Sequence, residues 1–429
     1  MVRRYKASVL AISADLRRLE EDLENLDLLR SLQGAITRRI KLAERRAKAA
    51  KEQTRRLKSK LRGERPPKKI ASALRRQIAA SEESLNAYRY LTFIWRCFGD
   101  GIAFMYLDKY ALKHVYFDTV DYVVKQEPGS LSGKAGLAVE WSFVKYVLTH
   151  GVPALLCDLT NTLRHGDVCI LVGPDPLLVE VKSSTNTNER IARQLESIGK
   201  LAGFFRDDEA RNFRGTPHVV RTALSSTERN YFAEIGQCIK DSEVAGAATC
   251  EPEPGVRYAC IRDPDVGTSL LSSVLSGSKI VATLLNDAKA DRVWMPNYPF
   301  TLSIREPTSL FEFIRGQVSV LVTIDLEIVK EKFTELGFRV AFLPEGPWAF
   351  WIRSDDGEFT AAISRPLFNR VFFEFQSLDW FVREQGARSN GVRSDLDAQP
   401  TPNSIDEPVK LGWLGPHPDV EAVFRDFAL

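Results

Sequence analysis

Between Arg164 and Ser184 the chain reads RHGDVCILVGPDPLLVEVKSS. Two apolar runs flank the turn-forming GPDP at 173–176, so two buried strands joined by a tight turn are expected. Yet Asp167 opens the first run, and Glu180 and Lys182 interrupt the second. With GPDP as the turn, Val172 faces Leu177, which sets Asp167 opposite Lys182 and Glu180 opposite Cys169. Opposed residues share a sheet face, as do alternate residues on one strand, so Asp167, Glu180 and Lys182 should project together. Helical spacing adds two polar groups. Glu140 falls in line with Leu137, Val144 and Val147, and Gln194 with Ile198, Leu201 and Phe205. A carboxylate buried without a partner is prohibitively costly. Three carboxylates, a lysine and an amide facing one place therefore imply a hard divalent cation, Mg²⁺ or Mn²⁺, held by oxygen ligands.

An acid at the head of a strand, a short gap, then acid–x–Lys on the next strand resembles the signature of the PD-(D/E)XK nuclease superfamily. The preceding helical Glu140 and the following helical Gln194 match it as well. The wording NTLRHGDV and EVKSS is similar to restriction-type nucleases of bacterial and phage defence. The resemblance spans roughly residues 133–225, and Gly166 stands where the family name has proline. It implies hydrolysis of phosphodiester bonds. Asp167, Glu180 and the Val181 carbonyl would hold the metal, with Glu140 bound through water or assisting a second ion. Lys182 would orient or deprotonate the attacking water, while Gln194, Arg190 and Arg193 would position the phosphate backbone. An antiviral or restriction-like effector acting on DNA is the biological expectation, with a partner protein encoded nearby. The rival readings are a nucleic-acid- or partner-binding scaffold with an inactive core, and an endonuclease of structured RNA.

The elements that must position these groups form an α/β nuclease core (restriction-endonuclease-like, a mixed sheet flanked by helices) over 99–225. The order helix, strand, strand, strand, helix, strand is read from GKAGLAVEWSFVKYVLTHG to HVVRTALSS. Before it, residues 1–98 read as an α-helical coiled-coil hairpin of two long helices. Leu16, Leu19, Leu23, Leu26, Leu29, Leu32, Ile36 and Ile40 form its stripe, which Ile70, Leu74, Ile78 and Leu85 resume after Pro66 and Pro67. After the core, 226–429 reads as an α+β domain. Its residues 384–409 are expected to be a mobile connection and LGWLGPHPDVEAVFRDFAL an ordered end.

Charge separates these parts. Residues 1–98 hold 25 Lys and Arg against 11 Asp and Glu, although the whole chain carries only +3. The hairpin tip, 38–76, holds 17 basic residues and three acids. Such a basic arm on an acidic body is expected to meet a polyanion, with Arg55, Arg56, Lys58 and Lys60 as phosphate contacts. The leucine stripe offers a surface for a homo-oligomer, a dimer or higher. Six scattered cysteines exclude a zinc ribbon or disulfide framework and point to a reducing cytoplasm. No uninterrupted apolar run of about 18 residues exists, so no membrane contact is expected. GSLSGKAG at 129–136 imitates a phosphate loop, but it is one residue short and has Ala135 where a Mg²⁺-binding hydroxyl belongs, so no NTPase is expected. His165 beside Asp167 reads as incidental, and His150 forms no nucleophilic pair with Cys157 or Cys169.

Overall fold

The computed structural model describes residues 2–63, 66–127, 129–181, 189–276 and 279–398. The chain divides into two compact units, one taking in residues up to Arg206 together with Ala290–Leu302, the other Asp207–Lys289 together with residues from Ser303 onward.

The first unit begins with three helices rather than two: α1 (Lys6–Glu21), α2 (Leu26–Gly63) and α3 (Lys68–Tyr106). The interruption is local in origin. Asn25 starts α2, its side-chain oxygen accepting from Leu28 N at 3.0 Å and its carbonyl from Leu29 N. Leu23 falls in the interruption and is exposed, whereas Leu16, Leu19, Leu29, Leu32, Ile36 and Ile40 are wholly buried. That stripe is covered by the unit's own helices, so the surface expected to pair with another chain is already used. Toward the tip the packing between α2 and α3 thins to Ala43, Ala50 and a polar pair in which Thr54 Oγ1 and Ser81 Oγ meet at 3.0 Å. Ile70 does not resume the stripe. It is 52 % exposed, one turn nearer the hairpin tip than Leu74.

The expected boundary at 98 lies inside a continuous helix. Ile94, Trp95, Phe98 and Ile102 of α3 are buried in the unit's core. Gly99 lets this helix lie against the turn 157–159, since a Cβ there would stand 2.0 Å from the Leu159 carbonyl oxygen. After α3 come α4 (Lys109–Tyr116), α5 (Leu137–Thr149), β1 (Ala154–Leu156), β2 (Val168–Ile170), β3 (Leu177–Val179) and α6 (Glu189–Asp207). The strands form an antiparallel sheet in the order β1-β2-β3. Gln33 of α2 closes the β1 edge by donating to Ala154 O at 2.8 Å and accepting from Leu156 N at 3.2 Å.

The hairpin register differs from expectation by two residues. Val168 pairs with Val179 and Ile170 with Leu177, so one further step sets Asp167 against Glu180, not Lys182. The turn is longer than GPDP because Leu171 N donates across to Pro153 O, and Pro174 O is taken by Asp108 N. A shift of two keeps every side chain on its face, whereas a shift of one would have split the set.

In the second unit β4 (Glu209–Phe213) and β5 (Thr216–Val220) form their own two-stranded sheet. The strand expected in HVVRTALSS therefore does not join the core sheet. Next come α7 (Phe232–Ala245), β6 (Ala247–Glu253), β7 (Val256–Ile261), α8 (Pro264–Val274), β8 (Ile280–Leu284) and α9 (Leu285–Ala290). They are followed by α10 (Phe300–Ser303), α11 (Pro307–Arg315), β9 (Ser319–Asp325), α12 (Leu326–Glu335), β10 (Phe338–Phe342), β11 (Trp348–Ser354), β12 (Thr360–Ser364), α13 (Arg365–Phe373) and α14 (Leu378–Ala398). Strands pair as β6-β7-β9-β8 and β10-β11-β12. Every strand pairing among the described residues is antiparallel, so the mixed sheet of the sequence reading is not found there. Residues 384–398, expected to be mobile, belong to α14, where buried Glu384 accepts from Ser225 N. Residues 399–409 and LGWLGPHPDVEAVFRDFAL lie outside the described residues. All six cysteines are free, and no helix among the described residues is long and apolar enough to cross a membrane.

Candidate active site

Asp167 stands at the head of β2, tied by three backbone groups. Its N–H donates to Val179 O at 2.9 Å, its carbonyl accepts from Cys157 N at 3.0 Å, and its Oδ2 accepts from Val181 N at 3.1 Å. Gly166 before it has φ +72°, in the left-handed region that a proline ring cannot enter. A proline could not take the place of Gly166 on this backbone. Glu180 continues directly from β3, half-buried. Glu140 projects from the first turn of α5 and is only 3 % exposed. Gly136 makes room for it, because a Cβ at that position would stand 2.9 Å from Glu140 Oε1. Gln194 on α6 shares with Asp167 and Glu180 the lining of one pocket of about 740 Å³. Four of the five expected polar residues thus converge. Lys182 and the Arg190 side chain lie outside the described residues, while Arg193 is exposed on α6. At the hairpin tip Arg55, Arg56, Lys58 and Lys60 are all exposed. Arg55 approaches Glu52 at 3.7 Å, and Lys58 meets Glu82 at 2.6 Å.

Two residues at the centre escape sequence reasoning. Lys134 Nζ lies 2.8 Å from Asp158 Oδ2, 2.9 Å from Glu140 Oε1 and 3.1 Å from Asp167 Oδ1. It comes from the GSLSGKAG segment, whose sequence suggests only an imperfect phosphate loop. The signal available is a lysine between Gly133 and the Ala135–Gly136 pair, just ahead of the helix that carries Glu140. Asp158 sits in the turn after β1, held by the close approach of α3. The lysine loop is itself anchored on the helical hairpin. Glu44 of α2 accepts from Ser130 Oγ at 2.8 Å and Ser132 N at 2.7 Å. Arg96 of α3 donates to Gly129 O at 3.0 Å and Asp158 O at 3.2 Å. The helices expected as a separate arm thus hold both sides of the pocket in place.

The charges do not balance. Burial works against the Lys134 ammonium, but Asp158, Glu140 and Asp167 outweigh it and raise its pKa. Burial likewise raises the Glu140 carboxyl, reinforced by Asp167 and opposed by Lys134. Glu180 is raised by burial and then by the charge of Asp167. Glu140 Oε2 and Glu180 Oε2 are both buried and without a hydrogen-bond partner. An all-oxygen donor set with two orphaned carboxylate oxygens fits a hard divalent cation. Around Lys134 the carboxylates are spread over one ammonium, and among the described residues no three His, Cys, Asp or Glu are grouped so as to hold a metal ion. The rim of the pocket is basic. Lys125 meets His165 Nδ1 at 2.8 Å, and His165 Nε2 lies 3.0 Å from Phe117 O, so the histidine serves the loop rather than the acids. Arg164 lies over the Tyr116 ring at 4.5 Å and is bonded to Asn161 O at 2.9 Å.

No family model, no curated protein and no solved structure matches this chain.

Proposed function

We propose that the protein is a metal-dependent endonuclease, most simply one that cuts DNA. The observation that carries this reading is the convergence of Asp167, Glu180 and Glu140, two of them with orphaned buried oxygens, beneath a rim bearing Lys125 and Arg164. Asp167, Glu180, Glu140 and the Val181 carbonyl would hold Mg²⁺ or Mn²⁺. When bound, that ion supplies water acidification and charge stabilisation on the departing oxygen. The chain's own contribution is positioning: Gln194, Lys125 and Arg164 face the pocket where a phosphodiester would lie, and Lys182 keeps its proposed part in orienting water. Arg190 and Arg193 on α6 and the exposed hairpin tip are proposed to follow the phosphate backbone. Cutting both strands of a duplex calls for two sites, so the reading includes a homo-oligomer, formed through a surface other than the covered leucine stripe. A defence role and a partner encoded nearby belong to the same proposal.

The test is digestion of supercoiled plasmid and of folded RNA with Mg²⁺ and with EDTA, using wild type and Asp167→Asn. Mg²⁺-dependent nicking that is lost in the variant, with an unchanged melting temperature, is expected. Cleavage of RNA alone would move the substrate to structured RNA. Cleavage undiminished in Asp167→Asn, or surviving EDTA, would sink the assignment.

A further inference from the structure

We infer that Lys134 is an exchangeable internal counter-ion, which occupies the carboxylate cluster until a divalent cation displaces it, and that Asp158 is a fourth acidic member of that cation site. The inference rests on the cation-site reading above and not on nuclease activity. Asp158, Glu140 and Asp167 each place an oxygen within 3.1 Å of the same ammonium, and Glu180 lies in the same pocket. One positive charge faces four carboxylates. A lysine built in as a permanent structural partner would leave buried acids saturated, because an unpaired buried carboxylate oxygen is costly. Here Glu140 Oε2 and Glu180 Oε2 remain unbonded, and the Glu140 side chain is 96 % buried. Four carboxylates against one ammonium leave an excess of negative charge, and replacing +1 with +2 reduces it.

The lysine is also placed to leave. Its side chain is 26 % exposed at the pocket, and among the described residues its backbone is held only by two long bonds, its N–H to Leu131 O and its carbonyl from Leu137 N, each 3.4 Å. The upstream end stays fixed, because Glu44 holds Ser130 and Ser132. The Lys134 side chain can therefore swing away from the acids into the pocket without unfolding the loop that carries it. Asp158 is held independently of Lys134 at its backbone, whose carbonyl accepts from Arg96, so the segment that carries its carboxylate keeps its place.

The direct experiment is calorimetric titration of Mn²⁺ alone, with no nucleic acid, into wild type, Lys134→Met and Asp158→Asn. Removing the competing ammonium should tighten Mn²⁺ about tenfold, the factor expected where the vacated site is populated about a tenth of the time. Asp158→Asn should weaken Mn²⁺ severalfold. Unchanged or weaker binding in Lys134→Met would overturn the exchange and make Lys134 a scaffold for the acids. Should that variant fail to fold, acetylation of wild-type lysines read by mass spectrometry replaces it. Labelling of Lys134 should rise on Mn²⁺ addition, and labelling that falls or stays level overturns the inference. A protein that cuts no nucleic acid but shows these shifts refutes the nuclease reading alone, whereas absence of Mn²⁺ binding in all three proteins refutes both.

Discussion

Gly99→Ala tests whether the close approach of α3 positions the site. In an open helix interior this change is favourable by about 1 kcal/mol, because alanine is the better helix former. Here the added Cβ would stand 2.0 Å from Leu159 O and 2.7 Å from Leu159 C, both backbone atoms that cannot rotate aside. An ordinary contact needs well over an ångström more, so α3 or the 157–159 turn must shift. Overpacking of this kind costs about 1–3 kcal/mol and at times more. The clash exceeds what a side chain can absorb, so the upper part of that range applies and outweighs the propensity gain by about 2 kcal/mol. For a unit of some two hundred residues that lowers the transition by roughly 4–8 °C. Asp158 adjoins the displaced Leu159, so Mn²⁺ affinity should fall as well. Scanning calorimetry of Gly99→Ala beside Gly203→Ala provides the assay. Gly203 lies on α6 with nothing within 4 Å of its added Cβ, so its variant should gain roughly 0.5–1 kcal/mol. A Gly99→Ala protein that melts at or above wild type would show that the contact with Leu159 does not fix α3 in place.

Three further outcomes are expected. Asp100 is pushed up to about 6 by burial, against the pull of its hydrogen bonds from Asn161 and Thr162. Its folded pKa exceeds the ordinary carboxylate value, so its contribution to stability is complete below about pH 4 and is lost as pH rises through 6, by about 3 kcal/mol at most. Melts between pH 4 and 8 should show this slope in wild type and a shallower one in Asp100→Asn, since Glu140 and Glu180 shift the same way; equal slopes would count against it. Glu44→Ala, which unpins Ser130 and Ser132 beside the pocket, should lower kcat/KM for metal-dependent cleavage by about tenfold at most, less than loss of a direct partner of a metal ligand, with a small change in melting temperature. Replacing Arg55, Arg56, Lys58 and Lys60 with glutamine should flatten the salt dependence of duplex binding by about 0.9 log unit for each phosphate no longer neutralised. An unchanged slope would place the phosphate-binding groups elsewhere on the chain.

Much of the candidate site was legible because it depends on short-range periodicity. Glu140 shares a face with Leu137 and Val144, and Gln194 one with Leu201 and Phe205, by helical spacing alone. The faces of Asp167 and Glu180 survived a two-residue error in register because strand periodicity is two. The length of the turn was not legible, since it depends on Leu171 N and Pro174 O finding partners at Pro153 and Asp108, both distant in sequence. The break at Asp22–Asn25 has a local cause in the Asn25 cap, but the leucine stripe runs across it and hides it.

The chain alone determined where its helices carry apolar stripes, where its charge is concentrated, and that acids at 140, 167 and 180 lie on inward faces. What those acids meet was settled by long-range packing, which brings Lys134 and Asp158 among them. Lys134 and Asp158 carry no periodic signal, and they meet because α3 can approach the 157–159 turn at Gly99 while Glu44 and Arg96 hold the lysine loop from the other side. It also decided that the helical hairpin is a support for the pocket, not a separate arm. Local patterning reports which face of an element is buried, and long-range packing alone reports what that face is buried against.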